Sequence, residues 1–284
     1  MKMMKKILVM ALALLMVVSL FACGGNKPAE NKYGTIEAGK LIVATSPDYA
    51  PYEFYALDEK GTPSLAGFDM ALAEYIAKEL GLELEVVPMD FNGILGEMAA
   101  GTADLAIAGL SPDPDRKTAM DFSDIYYEGK QAFVTTKAMA DKFSDLASTN
   151  DAQFSIAAQT GTIQEELAAE YSPNADYISL PKATDIIGEL LAGQLDGAYI
   201  EWDVAVAYQV NYPDLVIVCE VPYDAEGNVI GVAKGNEALL KAVNEALHKC
   251  VDSGTFAQYV ADALELAAGA TANYVEGEGI VPNE

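Results

Sequence analysis

The sequence predicts an α/β protein built as two lobes, each a mostly parallel sheet flanked by helices. Three observations predict it. From Lys40 to Leu110, apolar runs alternate with amphipathic stretches in the order strand–helix–strand–helix–strand, a pattern that favours parallel pairing. A second cycle of the same kind starts near Phe154 and continues to Leu266. Polar loops at Ser46–Tyr52, Gly109–Arg116, Gln159–Thr162 and Glu201 all follow strands. Ligands of open α/β sheets bind outside the carboxyl ends of strands, so these loops can converge on one cleft.

The first cycle reads element by element. Lys40 to Thr45 is a short strand, and two prolines fix the tyrosine-rich loop after it. Phe68, Leu72, Tyr75, Ile76 and Leu80 recur at helical spacing, and Gly81 is a stop signal. Leu82 to Pro88 alternates as a strand, and Asn92 to Ala100 is a helix ended by Gly101. Ala103 to Leu110 is an apolar run that reads as a buried strand.

Between the two cycles, Tyr126 to Thr136 reads as a crossing strand. Phe154 to Ala158, Asp176 to Leu180, Gly197 to Glu201 and Leu215 to Val221 are strands. Ile163 to Tyr171, Ala183 to Ala192 and Val204 to Val210 are helices between them. Val229 to Ala233 is a returning strand, and Asn236 to Ser253 and Thr255 to Leu266 are closing helices.

The amino terminus carries an export signal. Lys2, Lys5 and Lys6 precede an apolar run from Ile7 to Leu20, and Leu20-Phe21-Ala22-Cys23 closes it. The run is short for a bilayer span. Residues 1–22 are therefore expected to be a cleaved signal peptide, with Cys23 at a lipobox-like cleavage point as the lipidation site. Residues 23–37 form the lipidated terminus and linker. Removing three leader lysines from 17 basic residues, against 43 acidic ones, leaves a mature charge of −29. So acidic a surface argues against nucleic acid as a partner. Cys219 and Cys250 remain, either as one disulfide or as two buried thiols.

One stretch carries the chemistry. Gly109-Leu110-Ser111-Pro112-Asp113-Pro114-Asp115-Arg116 leaves the apolar run and turns. Asp113 suits a helix cap and Pro114 the first helical position. Arg116 then falls in the first turn. A hydroxyl, free amides and a guanidinium there suit a carboxylate; an ordinary turn with a surface Arg has the same local pattern. His248, the only histidine, sits on a helix and reads as surface or packing, and Asp121 and Asp124 read as local turn and cap residues.

At this point the residues resemble a known family. GKLIVATSPDYAPYEF, GFDMALAEYIAKELGLELEVVPMDFNGIL and GTADLAIAGLSPDPDRKTAMDFSDIYY, followed in order by AAQTGTIQE, LDGAYIEWDVA and GVAKGNEALLKAVNEAL, resemble the solute-binding proteins of polar amino acid ABC importers. The resemblance covers roughly residues 38 to 266. It implies a periplasmic-binding-protein-like fold with two lobes joined by two hinge strands near Tyr126–Gln131 and Val221–Ile230. The expected divisions are 38–128 and 225–266 for lobe 1, 129–224 for lobe 2, and a tail, 267–284, beyond the family's usual end.

The resemblance also implies a site. Arg116 matches the residue that grips a ligand α-carboxylate, with Gly109, Leu110 and Ser111 beside it. Gly161 and Thr162 match contacts from the other lobe, and Glu201 an acidic position, usually Asp, that binds the α-ammonium. Tyr49 and Phe91 match aromatic residues around the side chain, with Ser46 and Tyr52 on the same wall; Gln159 sits where specificity residues vary. One fixed cation and one fixed anion would select a zwitterion, because an unpaired buried charge is costly.

The expected function is capture of a free L-amino acid, polar with a slight lean towards basic, and delivery to an ABC permease. The protein is expected to be monomeric, extracytoplasmic and lipid-anchored, with no cofactor, metal or catalytic residue. Two alternatives stand beside it: an enzyme resembling cyclohexadienyl dehydratase, with Glu201 as the general acid or base, and an extracellular sensor domain.

Overall fold

The computed structural model describes residues 31–284 except 225, 226, 270, 276–278, 283 and 284. The signal peptide and Cys23 lie outside the described residues. Chain order begins β1 (Lys40–Thr45), β2 (Asp48–Tyr49), β3 (Glu53–Leu57), β4 (Pro63–Ala66), α1 (Phe68–Leu80), β5 (Glu83–Pro88), α2 (Phe91–Ala100) and β6 (Leu105–Ala106). A 3-10 turn, Pro114–Thr118, leads into β7 (Met120–Phe122) and then β8 (Gln131–Thr136). Next come β9 (Ser155–Gln159), α3 (Ile163–Tyr171), β10 (Asp176–Leu180), α4 (Ala183–Leu191), β11 (Gly197–Glu201), α5 (Trp202–Asn211) and β12 (Leu215–Val221). The chain returns through β13 (Gly231–Ala233), α6 (Glu237–Asp252), α7 (Thr255–Ala267), β14 (Thr271–Val275) and β15 (Gly279–Pro282).

The first lobe is built on the sheet β5-β1-β6-β13-β7 and the second on β10-β9-β11-β8-β12. The two sheets share one logic. β1 pairs parallel with β5 and β6, and β9 pairs parallel with β10 and β11. One strand in each runs against its neighbours: β13 is antiparallel to β6 and β7, and β8 is antiparallel to β11 and β12. In each case it is the strand that follows a crossing between lobes. Fold class and alternation are as the sequence predicts.

Helix α1 shows why the pattern works. Its Phe68, Leu72 and Ile76 are wholly buried and join the core of the first lobe with Leu239, Val243 and Leu247 of α6. Full burial of such side chains contributes roughly 1.5–3 kcal/mol each. The second lobe packs Phe133, Phe143, Phe154 and Tyr199 into its own cluster, with ring centroids of Phe133 and Tyr199 5.2 Å apart.

Two segments differ from the sequence reading. The run Ala103–Leu110 is buried almost throughout, but only Leu105–Ala106 forms ladder pairs, because the backbone bends at Gly109, whose φ is +55°. The predicted strand from Tyr126 begins only at Gln131. Residues before it form a crossing, where Tyr127 and Asn228 make a single antiparallel bridge. Of the two alternatives for Cys219 and Cys250, the structure has the free thiols.

The tail has an architectural place. β14 pairs antiparallel with β3, and β15 with β14, so the tail extends the small sheet of β2, β3 and β4. No helix among the described residues is long and apolar enough to cross a membrane.

Candidate functional site

The strand ends converge between the lobes. From lobe 1 come Ser46, Asp48 and Tyr49 after β1, Glu53 on β3, Phe91 at the start of α2, Ala108, Gly109 and Ser111 after β6, and Arg116 in the 3-10 turn. From lobe 2 come Gln159 at the end of β9 and Thr162, Ile163 and Gln164 at the start of α3. Together they line a small cavity of about 20 Å³. A roomier hollow of about 280 Å³ lies between α5 and β14, but it contains neither Arg116 nor Glu53.

Arg116 is built in by its sequence context. Asp113 accepts from the Asp115 amide and caps the turn, and Pro114 opens it. The fold so delivers a buried guanidinium to the cavity, 8 % exposed. Nη1 donates to the Ser111 carbonyl at 3.0 Å and Nη2 to the Gly161 carbonyl of the opposite lobe at 3.1 Å. The Asp113 carboxylate stands 3.7 Å from Nε, and the Phe91 ring centroid is 5.4 Å from the guanidinium carbon. Burial lowers the Arg116 pKa while Asp113 and then Glu166 oppose it, but a guanidinium stays charged in a protein. Two of its five N–H donors are committed to these carbonyls, and the others can meet a carboxylate.

The cavity also carries acidic groups. Asp48 and Glu53 both line the cavity. Asp48 takes the Ser46 hydroxyl at 2.7 Å, the Ala183 amide at 2.7 Å and Gln159 Nε2 at 3.2 Å. Burial pushes its pKa up to about 6 despite these donors. Glu53 is wholly buried, and no donor among the described residues reaches either of its oxygens. Burial first, and the Asp69 carboxylate second, raise its pKa well above the ordinary range. Asp69 accepts the Gly109 amide at 2.8 Å and the Tyr126 hydroxyl at 2.8 Å.

Eight of the residues expected at the site line this cavity: Ser46, Tyr49, Phe91, Gly109, Ser111, Arg116, Gln159 and Thr162. Four are not among its lining residues. Gly161 instead supplies the carbonyl that Arg116 meets. Leu110 is a core residue, and its carbonyl accepts the Val229 amide. Tyr52 stands behind Tyr49, with ring centroids 5.6 Å apart, and packs on Phe68 at 4.4 Å.

Glu201 is 2 % exposed, and its side chain folds back to cap α5 by accepting from the Val204 amide at 2.9 Å. Its other oxygen faces the first crossing, 3.3 Å from the Lys130 amide. Burial and then Asp203 raise its pKa to about 8. Asn228 ties the crossings to the cavity floor: its amide group donates to the Gly109 carbonyl at 2.7 Å, and its Oδ1 accepts from the Tyr52 hydroxyl at 3.3 Å.

Sequence reasoning missed Asp48, Glu53, Ala108, Ile163 and Gln164. Asp48 had a signal, since residues two apart in an extended segment share a face and Ser46 was already placed there. Gln164 joins the lobes by donating to the Tyr49 hydroxyl at 3.2 Å and to Gln131 Oε1 at 2.7 Å.

This arrangement has relatives. The chain is 33% identical over 258 residues to the arginine-binding extracellular protein ArtP of Bacillus subtilis, covering 88% of this chain and 94% of that protein. A crystal structure of an amino acid ABC transporter substrate-binding protein from Streptococcus pneumoniae, bound to L-arginine, superposes with a TM-score of 0.75. It is 37% identical, over 80% of this chain and 94% of that one. A cyclohexadienyl dehydratase of Pseudomonas aeruginosa is 27% identical, over 91% of this chain and 94% of that protein. Residues 41–263, from the first strand to the last helix, match the model of one family. With two lobes that share a cavity lined by a guanidinium and carboxyl groups, this chain belongs to the bacterial extracellular solute-binding proteins, family 3.

Proposed function

We propose that the protein captures a cationic L-amino acid, with arginine as the best fit, and presents it to the permease of an ABC importer. The observation that carries this reading is the Glu53 carboxyl group: buried on the cavity wall, with no amide, hydroxyl or cation among the described residues bonded to it and only the Asp69 carboxyl group beside it. Two carboxyl groups buried side by side can ionise together only at high cost, and a guanidinium or ammonium would offset it. Arg116 would take the α-carboxylate at the other end, beside Ser111 and Thr162, and Phe91 and Tyr49 would flank the side chain. Arginine-binding relatives support the same ligand. The net charge of −26 would also draw a cation towards the cleft.

Closure supplies the switch. A ligand shifts an open–closed equilibrium only by binding one state better, and a zwitterion that touches Arg116 on lobe 1 and Thr162 on lobe 2 does so. Export by the leader and a lipid on Cys23 would hold the protein at the outer face of the membrane, beside its permease. The dehydratase relative keeps one alternative in view, because a carboxyl group with a pKa near 8, such as Glu201, suits a general acid. Glu201 faces the crossing and caps α5, however, and is not among the cavity's lining residues.

Calorimetry with protein refolded free of ligand tests the proposal. L-arginine should bind at micromolar affinity or tighter, and Arg116→Ala should abolish it. A wild-type protein that binds none of the common amino acids, or one that turns over prephenate or arogenate, would overturn the reading.

A further inference from the structure

Asp48 belongs to lobe 1, yet one of its oxygens bonds directly to lobe 2. Its Oδ2 accepts the backbone amide of Ala183 at 2.7 Å and Gln159 Nε2 at 3.2 Å. Ala183 is the first residue of α4, and that helix has no cap of its own: the preceding residue, Lys182, offers no acceptor. Asp48 therefore caps α4 from across the cleft, where the positive end of the helix dipole favours a carboxylate. A second ionic contact runs beside it, from Lys182 of lobe 2 to Asp90 of lobe 1 at 3.9 Å. With Ser46 on Oδ1 at 2.7 Å, both Asp48 oxygens already hold donors, whereas those of Glu53 hold none among the described residues.

We infer that Asp48 is a closure latch rather than a ligand contact. It holds the lobes together through a bond that does not pass through the ligand, so it raises the closed population for every ligand alike. The inference refines the proposed function by separating the residue that sets closure from the residue that reads the side chain. Breaking a charge-assisted bond of this kind should weaken binding roughly tenfold or more. The loss should be equal for arginine and for neutral glutamine.

Two substitutions break the latch from opposite sides. Asp48→Ala removes the acceptor. Ala183→Pro removes the donor at the first helical position, where proline is well tolerated, and Lys182 already has the extended backbone, φ −128° and ψ 140°, that precedes proline readily. Each variant, with a cooperative thermal transition as proof of folding, is compared with wild type in two ways. Small-angle scattering of ligand-free protein should show a larger radius of gyration in both variants. Calorimetry with arginine and with glutamine should show equal fold losses, and the double variant should be no worse than either single one. Unchanged scattering with unchanged affinities would overturn the latch. So would a loss confined to arginine, which would make Asp48 a side-chain contact. If wild type binds no amino acid, the proposed function fails, but the ligand-free scattering still decides on the latch.

Discussion

Glu53 and Asp69 bring two carboxyl groups together in a wholly buried space beside the cavity, and only Asp69 has donors. The Gly109 amide and Tyr126 hydroxyl hold Asp69 towards the ionised form, though burial still raises its pKa to about 6. Glu53 has no such help, and the negative charge next to it adds to the cost of burial. The pair is therefore asymmetric: Glu53 is held further towards the protonated form than Asp69.

A cationic ligand would reverse that. A guanidinium beside Glu53 favours its ionised form, so arginine binding should release up to about one proton per site near pH 7. Calorimetry in two buffers of different ionisation enthalpy measures this directly. Glu53→Gln should abolish the release and weaken arginine roughly tenfold or more, while glutamine changes less. Equal losses for both ligands would place Glu53 outside the side-chain subsite.

Much of this fold was legible because it follows from periodicity. The helical spacing of Phe68, Leu72 and Ile76, and the alternation of strands with helices, dictate which faces are buried and which strands run parallel. Arg116 was legible too, since a cap, a proline and a guanidinium in that order are a local signal. Glu53 was not, and Asp48 was only in part. Their meaning comes from Asp69 and Ala183, many residues away, and no local pattern reports that a carboxylate will cap a helix of the opposite lobe. Glu201 shows the converse. Its position matched, but its side chain reaches the Val204 amide, a local contact that competes with the cleft.

Glu201 should make the protein less stable as pH rises. Its pKa in the fold, about 8, is above its ordinary value of 4.5, so between those limits the native state binds more protons than the unfolded one. Stability from this group is complete below about pH 4.5 and is lost as pH rises through about 8, with a slope of at most about 1.4 kcal/mol per pH unit. Asp48 and Asp69 act in the same direction at lower pH. Glu201→Gln keeps an oxygen that can accept from Val204 while removing the titration. Thermal midpoints from pH 5 to 9 should therefore fall less steeply in this variant than in wild type. Parallel curves would mean that Glu201 does not titrate in this window.

The first crossing has little room for a side chain at Gly129. A methyl group there would lie 2.8 Å from Asn228 Oδ1, 3.0 Å from the Tyr52 hydroxyl and 3.2 Å from Glu201 Oε1. Tyr52 and Asn228 are held in place by each other and, through Asn228, by the Gly109 carbonyl, so none of these atoms is the free end of a flexible chain. Gly129→Ala should cost about 1–3 kcal/mol, as overpacking does elsewhere, unless the crossing shifts to relieve it. That shift would move Lys130 and Glu201, which meet at 3.3 Å, and would disturb the bridge between Tyr127 and Asn228. The variant should therefore lose ligand affinity as well as thermal stability. A variant with wild-type midpoint and wild-type affinity would show that the crossing has slack at this position.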